Sequence, residues 1–235
     1  MEPMNITVRY TPEKCEAWGP TQNGEGAFAA ILAASGLPAD KVDVYKTMLG
    51  GGFGRRGAYP DDYVTQAVLI AKQMPGTPIK LLWSREEDMG HDFYRPMHVA
   101  RMRATVDRAG EPIALQIKSA GDAITPRWTE RGMPALAGPV ELPDKTASEG
   151  LFDQPYGFAH QKMEHVFTRS GLPVGFWRSV GHSHNAFFAE SFIDELAADL
   201  KQDPVELRRG LLKKAPRHLA VLNLAAARAH HHPVL

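Results

Sequence analysis

Apolar and polar positions alternate almost from the start of the chain. "NITVRYTPEKCEAW" holds two runs of period two, Ile6–Tyr10 and Cys15–Trp18, and Thr11, Pro12 and Glu13 between them have the composition of a hairpin turn. The pattern then lengthens: "AFAAILAASG" predicts a helix closed by Gly36, and "KVDVYKTML" a strand that runs into a glycine-rich loop. Pro60, Asp61 and Asp62 open a second predicted helix, "DDYVTQAVLIAKQM", with acids in the first turn where the helix dipole favours them. Pro75 and Gly76 end it, and "IKLLW" is a compact strand. Alternation on both sides of "DRAGEP" predicts the clearest hairpin of the chain. From Thr125 to Gln154 periodicity disappears and Pro and Gly accumulate, which predicts an irregular connection before strand pattern resumes at "HQKMEHVFTRS". "AFFAESFIDELAADL", "PVELRRGLLKK" behind an Asp203-Pro204 cap, and "RHLAVLNLAAARA" are three predicted helices.

No repeat recurs at a fixed period, and strands and helices do not alternate regularly. The layout predicts an α+β fold of mixed sheets with hairpins and packed helices. Its expected organisation is a first part over residues 1–123, an irregular connection over 124–159 and a second part over 160–235.

Composition narrows the function classes. The chain of 235 residues carries 27 basic and 27 acidic side chains, so no net field draws it to nucleic acid or acidic lipid. One cysteine, Cys15, excludes an internal disulfide and a Cys-based iron–sulfur site built by this chain alone. No apolar run approaches the length of a membrane span, and "MEPMNITVRY" lacks the pattern of a secretory leader. Both ends read as cut, and His230, His231 and His232 read as an accidental terminus rather than a metal site.

Chemistry concentrates in three stretches. "LGGGFGRRGAYPDD" contains a G-x-G-x-x-G over Gly52–Gly57, but Pro60 delays the following helix and no acid lies about 20 residues on, so the dinucleotide reading fails its context. Two readings of the loop stay open: an anion nest with Arg55 and Arg56 adding charge, or a tight turn with solvated arginines. "PVGFWRSVGHSHNA" sets Arg178 beside Phe176 and Trp177, a planar cation suited to oxo or phosphate groups. Its His182 and His184 lack further ligands at metal-site spacing and read as loop histidines bonded to backbone. The acids of "SREEDMGHDFYRP" read as a solvated face or a charge network with Arg95 and Arg101. No G-x-S-x-G elbow supports a serine nucleophile.

Together "MLGGGFGRRG", "LLWSREEDMGHDFYRPMHVARMRA" and "PVGFWRSVGHSHNAFFAESFIDELA" resemble the molybdenum hydroxylase superfamily of xanthine dehydrogenase, aldehyde oxidoreductase and carbon monoxide dehydrogenase. Within it the chain is most similar to molybdopterin-binding large subunits of the isoquinoline 1-oxidoreductase and bacterial aldehyde dehydrogenase type. The resemblance implies a molybdenum cofactor-binding domain and a molybdenum–molybdopterin cofactor in its cytosine dinucleotide form. Residue by residue, it puts the Gly-Gly-Gly-Phe-Gly motif on Gly50–Gly54, with Gly51, Gly52, Phe53, Gly54 and the following Arg55 at the cofactor and Gln22 of "WGPTQN" near the same pocket. Trp177 and Arg178 fall on its cofactor and substrate side.

The implied activity is hydroxylation of N-heterocycles or oxidation of aldehydes with water as oxygen source. The implied partners are the remainder of the large subunit, a small iron–sulfur subunit and a small-molecule substrate, with self-association of this piece. Two departures limit the transfer. Purine-oxidising members carry Lys-Glu where this chain has Arg56-Gly57, and the family's glutamate base has no match here, so no catalytic residue is expected in the chain. The competing expectation is a non-catalytic domain that keeps the scaffold and binds neither cofactor nor substrate, the cofactor then belonging to the complete enzyme alone.

Overall fold

The computed structural model describes residues 2–57, 61–138, 144–229 and 231. The helix start predicted at Pro60, and His230 and His232, lie outside them. The fold is α+β and forms two compact units, each built from three stretches: Met1–Arg95, Ile124–Pro143 and Gly171–Arg178 in the first, and Pro96–Ala123, Asp144–Ser170 and Ser179–Leu235 in the second.

In the first unit, strands β1 (Asn5–Tyr10), β2 (Cys15–Gly19), β3 (Val42–Lys46) and β4 (Ile79–Leu82) form a sheet in the order β3-β2-β1-β4. The β1–β2 hairpin forms as the pattern predicts, closed by the Thr11 N–H donating to the Lys14 carbonyl at 2.8 Å. The step from β2 to β3 is a parallel crossover through α1 (Gly24–Ser35), and Gly36 ends that helix in the left-handed conformation at φ 74°. Alternation turns Ile6, Val8, Cys15 and Ala17 to one face, where α1 and α2 (Asp62–Lys72) bury them with Ile31, Val64 and Val68. This burial pushes the Cys15 thiol up to about 11, so at neutral pH it is a small apolar core residue.

The second unit holds a three-stranded sheet, β5 (His98–Val106), β6 (Pro112–Asp122) and β7 (His160–Thr168), with β5–β6 antiparallel and β6–β7 parallel. Leu115 and Ile117 face a core shared with Ala189, Ile193 and Leu196 of α6 (His182–Leu200), joined by Leu207 and Leu211 of α7 (Pro204–Leu211). Asp203 caps α7 through the N–H groups of Val205 and Glu206, as its sequence predicts. Three short helices precede α6 in the chain, α3 (Arg85–Gly90), α4 (Thr125–Gly132) and α5 (Lys145–Ser148), and the last helix, α8, spans Pro216–Arg228.

Two expectations are corrected. The stretch read as irregular from Thr125 carries a helix over Thr125–Gly132 and a single turn over Lys145–Ser148, both too short for apolar periodicity to reveal. Helix α6 begins at His182, so His182 and His184 are helical rather than in a loop. Its first turn is polar and has no capping side chain, and those are the signals a sequence reading relies on.

Candidate functional site

The site assembles within the first unit from three separated stretches. Strand β3 delivers the chain to Gly50, whose N–H donates to Glu2 Oε2 at 2.6 Å. Hydrogen bonds from Asn5 and from this N–H hold the Glu2 carboxyl below the usual range. The loop then turns through left-handed geometry at Gly51 (φ 102°), Phe53 (φ 51°) and Gly54 (φ 94°). A non-glycine residue such as Phe53 there stores local strain that the surroundings must hold.

Two neighbours hold it. Gln22 Oε1 accepts the Gly54 N–H at 3.0 Å, while the Gln22 N–H donates to the Arg56 carbonyl at 3.1 Å. From the other side the Arg178 N–H donates to the Phe53 carbonyl at 2.8 Å, and the Arg178 guanidinium lies 5.9 Å from the Phe53 ring centre. The glycines make this closeness possible. A Cβ on Gly54 would lie 2.5 Å from the Phe176 carbonyl oxygen, and one on Gly52 2.2 Å from Gln22 Oε1. The close approach that the glycine run implied is thus made, at these two positions, by the protein itself.

The 173–178 stretch is fixed in turn by the segment after β4. The Tyr94 N–H donates to the Pro173 carbonyl, the Gly175 N–H to the Tyr94 carbonyl, and Trp177 Nε1–H to the Phe93 carbonyl at 2.7 Å. Arg95 lies over the Trp177 ring at 5.7 Å and donates to the Arg178 carbonyl. Phe93 went unassigned in the sequence and Arg95 was read only as a charge partner of the acids, although both sit in the aromatic and polar stretch singled out there. They position Trp177 and Arg178 through contacts that no local spacing shows.

All the candidate residues therefore meet in one place: Gly51, Gly52, Phe53, Gly54 and Arg55 between Gln22 on one side and Trp177 and Arg178 on the other. Gln22 and Arg178 are exposed, and Phe53 and Trp177 are half-buried. The arginines of the loop differ from both sequence readings. Arg55 is 4% exposed, its Nη2 donates to both Asp62 oxygens at 3.0 Å, its Nε lies 3.5 Å from Asp92, and its guanidinium lies over the Trp83 and Phe93 rings. Arg56 is fully buried and donates to the Pro20 and Pro3 carbonyls at 2.6 Å. Only their backbone stands at the loop. The acids of the "SREEDMGHDFYRP" stretch are in part a charge network, with Asp92 paired to Arg55 and Asp88 to Arg85, where the sequence had pointed to Arg95 and Arg101.

Behind the loop sits a group the sequence did not single out. Asp61 is 2% exposed, its Oδ2 has no hydrogen-bond partner, and it faces the start of α1, 2.7 Å from where a Cβ on Gly26 would lie. Desolvation, with the neighbouring Asp62 carboxylate adding to it against Arg55, pushes its carboxyl up to about 7. Among the described residues no group of three or more His, Cys, Asp or Glu side chains converges as a metal site.

In the first unit a mixed sheet thus carries a strained glycine loop on which a side-chain amide and an exposed arginine converge. The model of the molybdopterin cofactor-binding domain family matches residues 1–211, and the chain belongs to that family. It is 29% identical over 233 residues to the isoquinoline 1-oxidoreductase subunit beta of Brevundimonas diminuta, covering 96% of this chain and 28% of that one. It is also 29% identical over 177 residues to the membrane-bound aldehyde dehydrogenase [pyrroloquinoline-quinone] of Gluconacetobacter polyoxogenes, covering 75% of this chain and 23% of that protein. Among solved structures, quinoline 2-oxidoreductase from Pseudomonas putida 86 superposes with a TM-score of 0.67 at 20% identity, over 89% of this chain and 26% of that one. The aldehyde oxidoreductase of Desulfovibrio gigas gives 0.66 at 19% identity, over 88% of this chain and 22% of that one. The chain spans about a quarter of the length of these relatives. No helix among the described residues is long and apolar enough to cross a membrane.

Proposed function

We propose that the chain is part of the molybdopterin-binding large subunit of an oxidoreductase that hydroxylates N-heterocycles or oxidises aldehydes, with water as oxygen source. The observation that carries this reading is the convergence of Gln22, the 51–54 loop and Arg178 within one unit, on an exposed face. The donor set suits the group: backbone N–H groups, a side-chain amide and a guanidinium all favour an anionic, oxygen-rich ligand over a bare metal ion. Bound there, the molybdenum cofactor supplies the redox chemistry.

The protein's part is positional. Gln22 spends its oxygen on the Gly54 N–H, which leaves its amide NH₂ as the donor toward a ligand and fixes which way it points. Arg178 offers a planar fork of donors whose base is anchored through its own N–H on Phe53 and its carbonyl on Arg95. Trp177, held by the Phe93 carbonyl, supplies a flat wall for an aromatic or aldehyde substrate. Arg55 contributes through its backbone, its guanidinium being engaged by Asp62 and Asp92.

The cofactor is taken as the cytosine dinucleotide form. The remainder of the large subunit and a small iron–sulfur subunit complete the electron path, and apolar side chains left exposed, such as Leu82 and Val99, favour self-association of this piece.

The test is molybdenum and pterin content of the chain purified from a host that makes the cofactor. Wild type is expected to carry both. Gln22→Ala and Arg178→Ala should each lower occupancy about tenfold, the worth of one charge-assisted hydrogen bond, with unchanged circular dichroism. Wild type free of both metal and pterin, or variants loaded like wild type, would overturn the reading. Because the family's base glutamate has no match in the chain, the loaded chain by itself should turn over aldehyde or heterocycle at least about 10²-fold below a complete enzyme.

A further inference from the structure

The second unit carries a groove apart from this site, of about 720 Å³, between α6, α7 and α8. Its size falls in the range of about 300–1,000 Å³ usual for small-molecule sites. Leu212, Leu222, Ala225, Val221 and Pro155 make it apolar. At its floor the Tyr156 hydroxyl donates to both Glu190 oxygens at 2.9 Å, and Arg208 binds Glu190 at 2.8 Å and Asp194 at 2.6 Å. Burial and the Glu190 carboxylate push the Tyr156 phenol up, so it remains the donor and the Glu190 charge is met from two sides.

The rim is different. Helix α8 begins at Pro216 with no capping side chain and no acid in its first turn. Arg217 and His218 stand in that turn, line the groove and are exposed, and among the described residues neither side chain has a hydrogen-bond or ion-pair partner. An uncapped helix start presents backbone N–H groups and the positive end of the dipole, so two basic side chains there add to an existing positive site rather than oppose one. A 13-residue helix that starts this way gives up stability unless something anionic completes it.

We propose that this groove binds a free amphipathic carboxylate, a medium-chain or aryl acid, with its apolar body against Leu212, Val221 and Leu222 and its carboxylate at Arg217, His218 and the start of α8. A neutral apolar ligand would leave the rim unmet, and a cation would be repelled by it.

Isothermal titration of the full chain with dodecanoate, below its micelle concentration, tests this against dodecanol and dodecyltrimethylammonium. The expected result is saturable one-to-one binding of dodecanoate. It should weaken about tenfold in the Arg217→Ala/His218→Ala double variant and in Val221→Asp, with dodecanol and the cation at least as weak. Arg217→Lys should retain most of the affinity. Four outcomes overturn the proposal: no saturable binding of dodecanoate, equal affinity for dodecanol, a double variant that binds like wild type, or capture by phosphatidylglycerol vesicles that dodecanoate does not compete away. None of these readouts depends on molybdenum, so their failure is separate from failure of the cofactor reading.

Discussion

Asp61 is the residue whose chemistry departs furthest from its exposed counterpart. Its folded carboxyl titrates near 7 against about 3.9 unfolded, so the folded state binds the proton more tightly. The stability this confers is fully present below about pH 4 and is lost as pH rises through 7. At its upper limit the change is about 4 kcal/mol. Asp61→Asn should flatten the decline in urea midpoint between pH 5 and 8, and an unchanged slope would show that another group sets it. Gly54 gives a second test at this scale. With φ at 94° and the Phe176 carbonyl where a Cβ would be, Gly54→Ala should destabilise the first unit by about 1–3 kcal/mol, read by tryptophan fluorescence with no cofactor present. The sequence showed that Gly54 needed room. It could not show that a carbonyl distant in the chain takes that room, which is why a glycine variant reports on packing and Gln22 or Arg178 variants on ligand.

At the scale of elements, β5, β7 and α6 bring three histidines together within the second unit. His98 and His165 stack at 5.3 Å, and His184 lies 4.1 Å from His98. Ser119 Oγ meets His165 Nδ1 at 2.7 Å and the Asp122 carbonyl meets His98 Nε2 at 3.1 Å, while His98 Nδ1 and His165 Nε2 are buried without a partner. Burial holds both rings below the usual histidine range, the His98 charge adding to the effect on His165, against the pull of Asp122 and Asp144 on His98 and of Asp144 on His165. A histidine whose folded pKa is depressed stabilises the fold above its unfolded value of about 6.5, and that contribution is lost as pH falls below it. Amide exchange in β5–β7 should therefore quicken between pH 7 and 5, after correction for intrinsic rates, and His165→Gln should reduce the change. Alternation in the sequence predicted both strands, and helical spacing most of α6. The cluster was hidden because His184 was read outside the helix. What anchors that first turn is Asn185, whose side chain donates to the Ala147 and Glu149 carbonyls, a contact without local sequence signal.

For the whole molecule, the division into two units has a direct optical consequence. All four tryptophans, Trp18, Trp83, Trp128 and Trp177, fall in the first unit, so their fluorescence reports on it alone. Ile31→Ala, at a fully buried position of the first core, should cost about 2–5 kcal/mol and shift the tryptophan-detected unfolding midpoint. Ile193→Ala, in the second core, should cost a similar amount by circular dichroism and leave the tryptophan transition in place. Coincident shifts in both variants would show that the units unfold as one. Local rules carried the sequence a long way. Period-two alternation determined the strands, caps such as Gly36 and Asp203 determined helix ends, and the ordered glycine and Trp-Arg motifs determined the family and the residues to watch. Those features depend on neighbours within a few positions, so one-dimensional spacing contains them. Tertiary structure alone decided which stretches share a unit, that Arg55 and Arg56 turn inward while Arg178 stays exposed, and that Asp61 lies buried with its Oδ2 unpartnered. Each of these follows from desolvation and from contacts between residues far apart in the chain, and that information is absent until the chain is folded.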